Sequence, residues 1–372
     1  MKNRKIIFRT GRKSLNIAAN IPFSKSKILY LYGMATKEEA QIFFENFTGN
    51  KASRFEELAA SGSERKNFVA VNNSAKYIVT ANENLRENEA FYYLSDVLKN
   101  LQLNVPTIFN ISENRKIYIQ QFAGEATLSE IIAKEGLSER VKMLVKKTLQ
   151  QLFVLQKETE NKIDFSKTFE YEQYDNLPIT HDLYYFKNFV VDVLEIHYHK
   201  STLLKEFKAI VKILEDLEPK GLMIRDFQSR NIMVNNNDEV TFIDYQGAMK
   251  GPLMYDVVSF LFQAKANFPQ NFKDEMLNFY FNLWDEASQV QLRNSLKPIQ
   301  LIRFMQVLGA YGFRGLVQQK KHFAESISQG IINLNSFLQD WELSSNFPEL
   351  MQVSNELSTE NTQQKIQQIL NR

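Results

Sequence analysis

The stretch from residue 225 to residue 244, RDFQSRNIMVNNNDEVTFID, constrains the fold more than any other part of the sequence. Two short apolar runs flank the polar residues NNNDE, a pattern that predicts a turn between two strands. Because a hairpin brings its open ends together, Asn231 and Asp244 are expected to lie side by side, with Asp226 facing the same place. An amide oxygen and a carboxylate close together suit Mg²⁺, which keeps several waters and takes few protein ligands. We therefore predict that Asn231 and Asp244 are metal ligands.

The same three residues occur in the order that phosphoryl transfer requires. Asp226 and Asn231 have the spacing of the D-x-x-x-x-N pattern of kinase catalytic loops, and IDYQG, which contains Asp244, takes the place of D-F-G. In such a site the metal neutralises charge on the transferring phosphate, and the remaining Asp accepts the proton of the attacking hydroxyl. We predict that Asp226 is the catalytic base and that the cofactors are ATP and Mg²⁺. The competing interpretation is a surface loop with an Asx turn.

Two segments of the first third are expected to bind the nucleotide. In AASGSERKNFVAV, the residues Ser61, Gly62 and Ser63 can turn tightly and present backbone N–H groups to phosphate. IYIQQFAG is an extended segment between a predicted sheet and a predicted set of helices. The backbone from Gln121 to Ala123 is therefore expected to bond the edge of adenine.

A kinase-like site also needs a strand cation that pairs with an acidic residue on the inserted helix. Glu89, in RENEAF, is predicted to be that acidic residue. The strand AKYIVTA has no Lys at its centre, where Thr80 is the nearest equivalent. Arg65, Lys66 or Lys76 is expected to substitute, because a guanidinium in particular binds phosphate well.

The residue pattern divides the chain into four parts. Residues 34–123 combine strand and turn patterns with one inserted helix, which predicts a small antiparallel sheet that binds nucleotide. Residues 124–343 are mostly helical in pattern apart from the catalytic loop. Residues 344–372 are predicted to be a polar tail, which is either a marginal terminal helix or frayed. The predicted fold class is thus α+β. Residues 1–33 form a basic extension, interpreted as a targeting arm, a solvated tail or the sequence before a natural start at Met34.

Composition excludes several other classes of function. The chain has no Cys, which excludes a disulfide framework and thiolate zinc sites and is compatible with the cytoplasm. The first 33 residues contain eight Lys or Arg and no Asp or Glu, so the rest of the chain is mildly acidic. A general nucleic-acid-binding surface is not expected, because phosphate contacts need clustered positive charge. No apolar run is long enough to cross a bilayer, so no membrane partner is expected either.

With these motifs in place, the chain resembles the aminoglycoside phosphotransferase and choline kinase-like superfamily of small-molecule kinases. The motifs that carry the resemblance are SGSERKNF, ENEAF, RDFQSRNIM, IDYQGAMKGPLMYDVVSFL and GAYGFRGL. Within the superfamily, IDYQGAMKGPLMYD is most similar to bacterial cell-wall sugar kinases that phosphorylate N-acetylmuramate or N-acetylglucosamine at the anomeric hydroxyl. The resemblance covers residues 35–342 and implies a protein kinase-like fold with a small β lobe and a larger helical lobe.

The resemblance also implies roles for residues around the catalytic loop. Asp256, in YDVVSFL, is similar to the buried aspartate that braces the catalytic loop, and Arg225 is expected to support the loop with it. Gln246 and Lys250, shortly after the predicted metal ligand Asp244, are expected to contact the acceptor. That acceptor is expected to be a small molecule with a hydroxyl group, most consistent with an amino sugar.

Other functions stay open at this stage. The missing strand Lys is compatible with a catalytically inactive, nucleotide-binding regulatory protein. A choline, homoserine or aminoglycoside kinase is the second alternative, since the segment SKTFEYEQYDNLPITHD carries acids that can attract a polycation, namely Glu170, Glu172, Asp175 and Asp182. A protein kinase is excluded, because a dozen residues separate Asp244 from Asp256 and leave no room for an activation loop.

Overall fold

The computed structural model of the protein describes residues 36–59, 65–263 and 266–370. The predictions made for the basic extension, 1–33, and for the phosphate loop, 61–63, lie outside these described residues.

A small antiparallel sheet forms the first part of the described chain. Its five strands lie in the spatial order β1-β2-β3-β5-β4, and each neighbouring pair is antiparallel. The strands are β1 (Arg54–Glu57), β2 (Lys66–Asn72), β3 (Ala75–Ala81), β4 (Ile108–Ile111) and β5 (Ile117–Gln121). Two helices accompany them, α1 (Lys37–Thr48) before the sheet and α2 (Leu85–Asn100) between β3 and β4. The predicted small sheet with one inserted helix is confirmed.

Local sequence sets both ends of α1. Thr36 and Glu39 form a capping box, in which the Thr36 hydroxyl accepts from the Glu39 N–H at 3.1 Å and the Glu39 carboxylate accepts from the Thr36 N–H at 2.8 Å. Gly49 ends the helix with a φ of 69°, which a glycine adopts without strain. The buried face of α1 places the Phe44 ring 5.4 Å from the Tyr77 ring of β3. Helix α1 thereby closes a small apolar cluster on its side of the sheet.

Helix α2 connects the sheet to the larger part of the protein. Its Phe91 ring stacks on the Tyr245 ring at 5.2 Å, and the hydroxyls of Ser95 and Tyr245 share a hydrogen bond of 2.7 Å. Phe91 belongs to the main apolar core and not to the cluster beneath α1. Because Tyr245 follows Asp244 in the chain, this packing fixes the position of α2 relative to a predicted metal ligand.

The larger part is mostly helical, as predicted. In chain order it contains β6 (Ala126–Thr127), α3 (Leu128–Glu135), α4 (Glu139–Glu158), α5 (Asn176–Phe186), α6 (Lys200–Glu215), β7 (Lys220–Met223), β8 (Ile232–Val234), β9 (Val240–Phe242), β10 (Met249–Pro252), α7 (Met254–Leu261), α8 (Gln270–Phe281), α9 (Glu286–Tyr311), α10 (Lys321–Ala324), α11 (Ile327–Asp340), α12 (Pro348–Leu357) and α13 (Glu360–Leu370). Short 3₁₀ turns (Phe165–Lys167, Ser229–Asn231, Glu342–Asn346) and π-helical turns (Lys187–Val191, Gly312–Val317) complete it. Among the described helices, none combines the length and apolar character needed to cross a membrane.

The predicted hairpin is present as strands β8 and β9. They pair antiparallel, with Val234 opposite Val240 at the turn. The Asn235 side chain closes the turn, because its Oδ1 accepts from the backbone N–H of Glu239 at 3.0 Å. At the open end the N–H of Ile243 donates to the carbonyl of Asn231 at 3.0 Å. The hairpin therefore brings Asn231 beside Asp244, as the sequence predicts.

Helix α9 and the π-helical turn after it pack closely on α5 and its following turn, because two glycines remove the Cβ atoms that would separate them. A Cβ at Gly309 would lie 2.8 Å from the backbone nitrogen of Phe186, and one at Gly312 would collide with the carbonyl of Phe189. Both glycines lie in the GAYGFRGL motif. The close packing sets the direction in which the chain leaves α9 and so positions Arg314 in the turn that follows.

The C-terminal segment differs from its prediction as a polar tail. Residues 344–372 include α12 and α13, which bury Leu350, Leu357 and Ile366. The carboxylate of Glu206, on α6, accepts from the N–H groups of Glu349 at 2.9 Å and Leu350 at 2.8 Å. These apolar contacts and the cap on the first turn of α12 outweigh the Gln- and Asn-rich composition.

We expect Glu206→Ala to lower the free energy of unfolding by about 1–3 kcal/mol, because two backbone N–H groups at the start of α12 lose their acceptor. The exposed Glu275, on α8, provides the control, and Glu275→Ala should change stability by less than about 0.5 kcal/mol. Urea denaturation of the two variants measures the difference. Equal stability would contradict the assigned role of Glu206.

Candidate active site

One buried carboxylate organises the catalytic loop. Asp256, in the first turn of α7, is fully buried, and its two oxygens accept from the N–H groups of Ile224 at 2.7 Å and Arg225 at 2.9 Å. Burial raises the pKa of Asp256 to about 7, although the two backbone bonds oppose this shift. Because β7 ends at Met223, the bonds hold the first two residues after the strand. This is the bracing role that the family resemblance implies.

Arg225 turns the chain toward the cleft through an unusual backbone conformation. Its φ is 71°, in the left-handed region that costs a non-glycine residue about 1–3 kcal/mol. The Arg225 Nη2 donates to Oδ1 of the buried Asp182 at 3.1 Å, and the hydroxyl of Tyr174 donates to Oδ2 of the same carboxylate at 2.9 Å. These contacts, with the backbone bond to Asp256, hold Arg225 in this conformation.

The predicted base, Asp226, then lies on the floor of the cleft, where its side chain stays accessible to solvent. Its carboxylate accepts no hydrogen bond from the residues that the structure describes. Burial by the surrounding cleft raises the pKa of Asp226 and repulsion by Asp244 adds to this, while Arg225, Arg230 and Arg303 act in the opposite direction. An accessible carboxylate with a raised pKa is suited to accepting a proton.

Asn231 connects the two acidic residues. Its Nδ2 donates to the backbone carbonyl of Asp226 at 2.8 Å and to Oδ2 of Asp244 at 3.3 Å. Since the amide nitrogen makes both bonds, the amide oxygen stays available for another partner. The three residues that the sequence singled out are therefore joined in one network.

Arg65 brings a positive charge to the predicted metal ligand. Its guanidinium forms a short ion pair with Asp244, and its Nε lies 3.5 Å from Oε1 of Glu87. Burial alone would raise the pKa of Asp244, but the charge of Arg65 and hydrogen bonds from Gln246 and Arg65 hold that pKa below its usual value. Of the three cations expected to replace the strand Lys, Arg65 is the one that the structure places at the site. Lys76 pairs instead with Glu125, at the surface.

Glu89 does not occupy its predicted place. Its carboxylate pairs with Arg115, and both side chains are about half exposed. The residue that pairs with the cleft cation is Glu87, which also accepts from Asn82 at 2.9 Å. Residues two apart on a helix point in different directions, so only one of the pair can face the cleft. The side-chain cap that Asn84 gives to the Glu87 N–H, at 3.3 Å, is the sequence signal that locates the helix start.

Thr80 shows why the usual strand position carries no cation. The residue is fully buried, and its hydroxyl donates to Oδ1 of Asn67 at 2.8 Å and accepts from Nε2 of Gln120 at 3.3 Å. A Lys at this position would have to displace a satisfied polar network. Arg65 reaches the cleft from the beginning of the neighbouring strand instead.

Gln246 and Lys250 stay predictions as acceptor contacts, and the structure shows where each lies. The Gln246 Nε2 donates to Oδ1 of Asp244 at 2.9 Å, so this side chain supports the predicted metal ligand. Lys250 lies on β10 opposite Leu222, and its backbone bonds Glu172 and Tyr174. Neither side chain lines the cavity that adjoins Asp226.

The segment from Gln121 to Ala123, between the sheet and the helices, is predicted to bond the edge of adenine. The N–H of Gln121 donates to the carbonyl of Thr107 at 2.9 Å, so that donor is occupied. Ala123 stays a prediction. Gly124 is required beside it, because a Cβ there would lie 2.5 Å from the carbonyl oxygen of Val234.

The donor set fits a magnesium ion that is shared with phosphates. Asp244 offers a carboxylate and Asn231 an amide oxygen, and both are hard ligands. Within the described part of the chain, no group of three or more His, Cys, Asp or Glu side chains could hold a metal by itself. A metal at this site would take its other ligands from phosphate and water, which is how Mg²⁺ is usually bound in phosphoryl-transfer enzymes.

Comparison with known proteins agrees with this fold. The sequence model of the phosphotransferase enzyme family matches residues 56–290. No curated protein sequence matches the chain significantly. Choline kinase LicA from Streptococcus pneumoniae superposes with a TM-score of 0.56 at 12% identity, over 81% of this chain and 100% of that chain.

Two other solved structures show the same likeness. The Plasmodium vivax ethanolamine kinase has a TM-score of 0.55 at 15% identity, over 89% of this chain and 92% of that chain. A variant of an aminoglycoside phosphotransferase, in complex with AMP-PNP and hygromycin B, has a TM-score of 0.53 at 16% identity, over 82% of this chain and 98% of that chain. At these identities the likeness establishes the fold, a kinase-like small β lobe followed by a helical lobe.

We expect Asp256→Asn to lower the free energy of unfolding by about 1–3 kcal/mol, because an amide can accept from only one side and leaves a buried N–H unpaired. Turnover should fall by about 10²-fold, since a small displacement of Asp226 misaligns the site. The exposed Asp274→Asn is the control for both measurements. A fully stable and fully active Asp256→Asn enzyme would show that the loop does not depend on this carboxylate.

The pair Glu87→Gln and Glu89→Gln tests which glutamate positions Arg65. We expect Glu87→Gln to raise the KM for ATP about tenfold, which corresponds to about 1.4 kcal/mol, because Arg65 loses an anionic partner. Glu89→Gln should leave this KM unchanged, since Glu89 contacts only the surface Arg115. Initial rates over a range of ATP concentrations measure both values. A larger effect from Glu89→Gln would reverse the assignment.

Proposed function

This chain belongs to the phosphotransferase enzyme family, and on that premise we propose that it transfers the γ-phosphate of ATP to a hydroxyl group of a small metabolite, in a Mg²⁺-dependent reaction. The observation that carries the proposal is the network of Asp226, Asn231 and Asp244 on the cleft floor. It combines a free carboxylate with two oxygen ligands for a metal.

Each residue of the network has a distinct task in the proposed reaction. Asp226 accepts the proton of the acceptor hydroxyl as that oxygen attacks the γ-phosphate, and the raised pKa of Asp226 favours this transfer. Asp244 and Asn231 would hold Mg²⁺, which neutralises charge on the phosphates when it is bound. Asp256 keeps Asp226 at its place through the backbone of Ile224 and Arg225.

Arg65 is proposed to bind the nucleotide phosphates. It lies at the beginning of β2, directly after the predicted phosphate loop, and it pairs with both Asp244 and Glu87. A guanidinium has several donors in a fixed plane, so Arg65 can keep its carboxylate contacts while it contacts a phosphate. In this position it supplies the positive charge that the strand Lys supplies in other kinases.

We propose an amino sugar or a related sugar as the acceptor. The proposal is supported by the motif IDYQGAMKGPLMYD, which is most similar to that of cell-wall sugar kinases. The solved relatives include kinases of choline and ethanolamine and an aminoglycoside phosphotransferase, so those acceptor classes form the second candidate. The four acids that suggested a polycationic acceptor, from Glu170 to Asp182, do not line the cavity beside Asp226.

A catalytically inactive, nucleotide-binding regulator is the remaining alternative. It was motivated by the missing strand Lys. The place of Arg65 weakens that motive, because this half-buried cation, just before β2, contacts the predicted metal ligand. Asp226, Asn231 and Asp244, the residues proposed as base and metal ligands, are also joined by hydrogen bonds.

We expect Asp226→Ala to lower turnover by about 10²–10⁴-fold, because the base is lost, while ATP binding with Mg²⁺ is kept. Asp244→Ala should lose Mg²⁺-dependent ATP binding as well, since it removes a metal ligand. Calorimetric titration of ATP with and without Mg²⁺, combined with steady-state rates, separates the two effects. The exposed Asp96→Ala, on α2, is the control and should behave as the wild type.

Equal turnover in the wild type and in both cleft variants would rule out the proposed roles. Turnover that is lost in Asp226→Ala together with all ATP binding would also contradict the assignment, because it would make Asp226 a structural residue or a metal ligand.

A further inference from the structure

A cavity of about 460 Å³ lies beside Asp226, between the catalytic loop and helices of the larger part of the protein. Its walls come from the catalytic loop, α7, α9, the turn after α9, and α11. The size suits a small molecule. Because the predicted base lies in its wall, a hydroxyl compound bound here would have its oxygen within the reach of Asp226.

The charged residues that line this cavity are unevenly divided. Asp226 is the only acidic residue among them, whereas four are cations, namely Arg230, Arg303, Arg314 and Lys320. In the part of the chain that the structure describes, none of the four cations forms an ion pair with a carboxylate. Among the residues that line the cavity, the cations therefore outnumber the carboxylates by four to one.

Arg303 is the most informative of the four because it is buried. Its side chain, on α9, donates to three neutral oxygens, the Tyr255 hydroxyl at 2.8 Å, Oε1 of Gln306 at 2.7 Å and the Ser259 hydroxyl at 2.9 Å. Its Nε is buried and has no partner among the described residues. The carboxylates of Asp226, Asp182 and Asp256 attract Arg303 through space, but none of them bonds its guanidinium. An anion that bonded the free Nε would offset the cost of burying it without a partner.

Arg314 extends the same positive charge along the wall. Its guanidinium lies over the Phe323 ring at 4.9 Å, which restricts its freedom. The Lys320 N–H donates to the Arg314 carbonyl at 2.9 Å, so the two cations stay on the same turn. Both follow the close helix packing at Gly309 and Gly312.

We propose that the acceptor carries an anionic group, a carboxylate or a phosphate, in addition to the hydroxyl that receives the phosphate. This inference rests on the proposed function and narrows its substrate class. The anionic group lies against Arg303, Arg314 and Lys320, while the hydroxyl faces Asp226. A cationic acceptor is disfavoured, because the lining residues carry four positive charges and one carboxylate.

Four amino sugars that differ in charge test the proposal. N-acetylmuramate carries a carboxylate, N-acetylglucosamine 6-phosphate carries a phosphate, N-acetylglucosamine is neutral and glucosamine is a cation. We expect kcat/KM for one of the two anionic sugars to exceed that of neutral N-acetylglucosamine by about tenfold or more, as one charge-assisted contact of about 1.4 kcal/mol would give. Which anionic sugar is preferred decides between carboxylate and phosphate.

Variants of Arg314 connect this preference to the cavity. Arg314→Gln should raise the KM for the anionic sugar about tenfold, leave the value for N-acetylglucosamine unchanged, and have little effect on kcat. Arg314→Lys should restore part of the preference because the charge is kept. Arg293→Gln is the matched control, since Arg293 also lies over an aromatic ring, that of Phe281 at 4.3 Å, but does not line the cavity.

A neutral or cationic sugar that is used as well as the anionic ones would overturn the proposal, as would a preference that survives both Arg314→Gln and Lys320→Gln. Calorimetric titration of the same four sugars without ATP gives a second readout, in which equal or absent binding of the anionic sugars also overturns it. Failure of the proposed function would look different. In that case the anionic sugars would bind with an Arg314-dependent advantage but receive no phosphate.

Discussion

The site depends on the double hydrogen bond that the buried Asp256 carboxylate accepts from the backbone of Ile224 and Arg225. These bonds hold the chain as it leaves β7, and they stabilise the left-handed conformation at Arg225 that directs Asp226 to the cleft floor. Asn231 then bonds the carbonyl of Asp226. Without the carboxylate, two buried N–H groups would be unpaired, and the conformation of the loop would no longer be stabilised.

Charge connects this loop to the small sheet. Arg65 reaches from the beginning of β2 to Asp244, while Glu87 on α2 contacts the same guanidinium. The aromatic contact between Phe91 and Tyr245 holds α2 beside the residue that follows Asp244. Both interactions converge on Asp244, the proposed metal ligand, so the sheet, the helix and the catalytic loop are positioned together. On the other side of Asp226, four cations line the cavity that we propose binds the acceptor.

The sequence predicted what local patterns determine and missed what tertiary packing determines. The hairpin and the convergence of Asn231 with Asp244 follow from a turn and two short apolar runs. Glu89 was chosen in place of Glu87 because the helix start, at Asn84, was not located to within one residue. The packing of the last two helices was not predicted beyond a marginal terminal helix, because their stability comes from burial and from the distant Glu206. The positive cavity was missed because Arg303 and Arg314 lie far from Asp226 in sequence.

The measurement that tests the central claim most directly is ³¹P NMR of ATP incubated with the protein, Mg²⁺ and the sugar panel. The account predicts that the γ-phosphate signal of ATP declines while a phosphoester signal of an anionic sugar rises by an equal amount. This exchange should require both Mg²⁺ and Asp226. Unchanged ATP, or the appearance of a phosphoester that forms equally well with Asp226→Ala, would contradict the assignment of the cleft as a phosphoryl-transfer site.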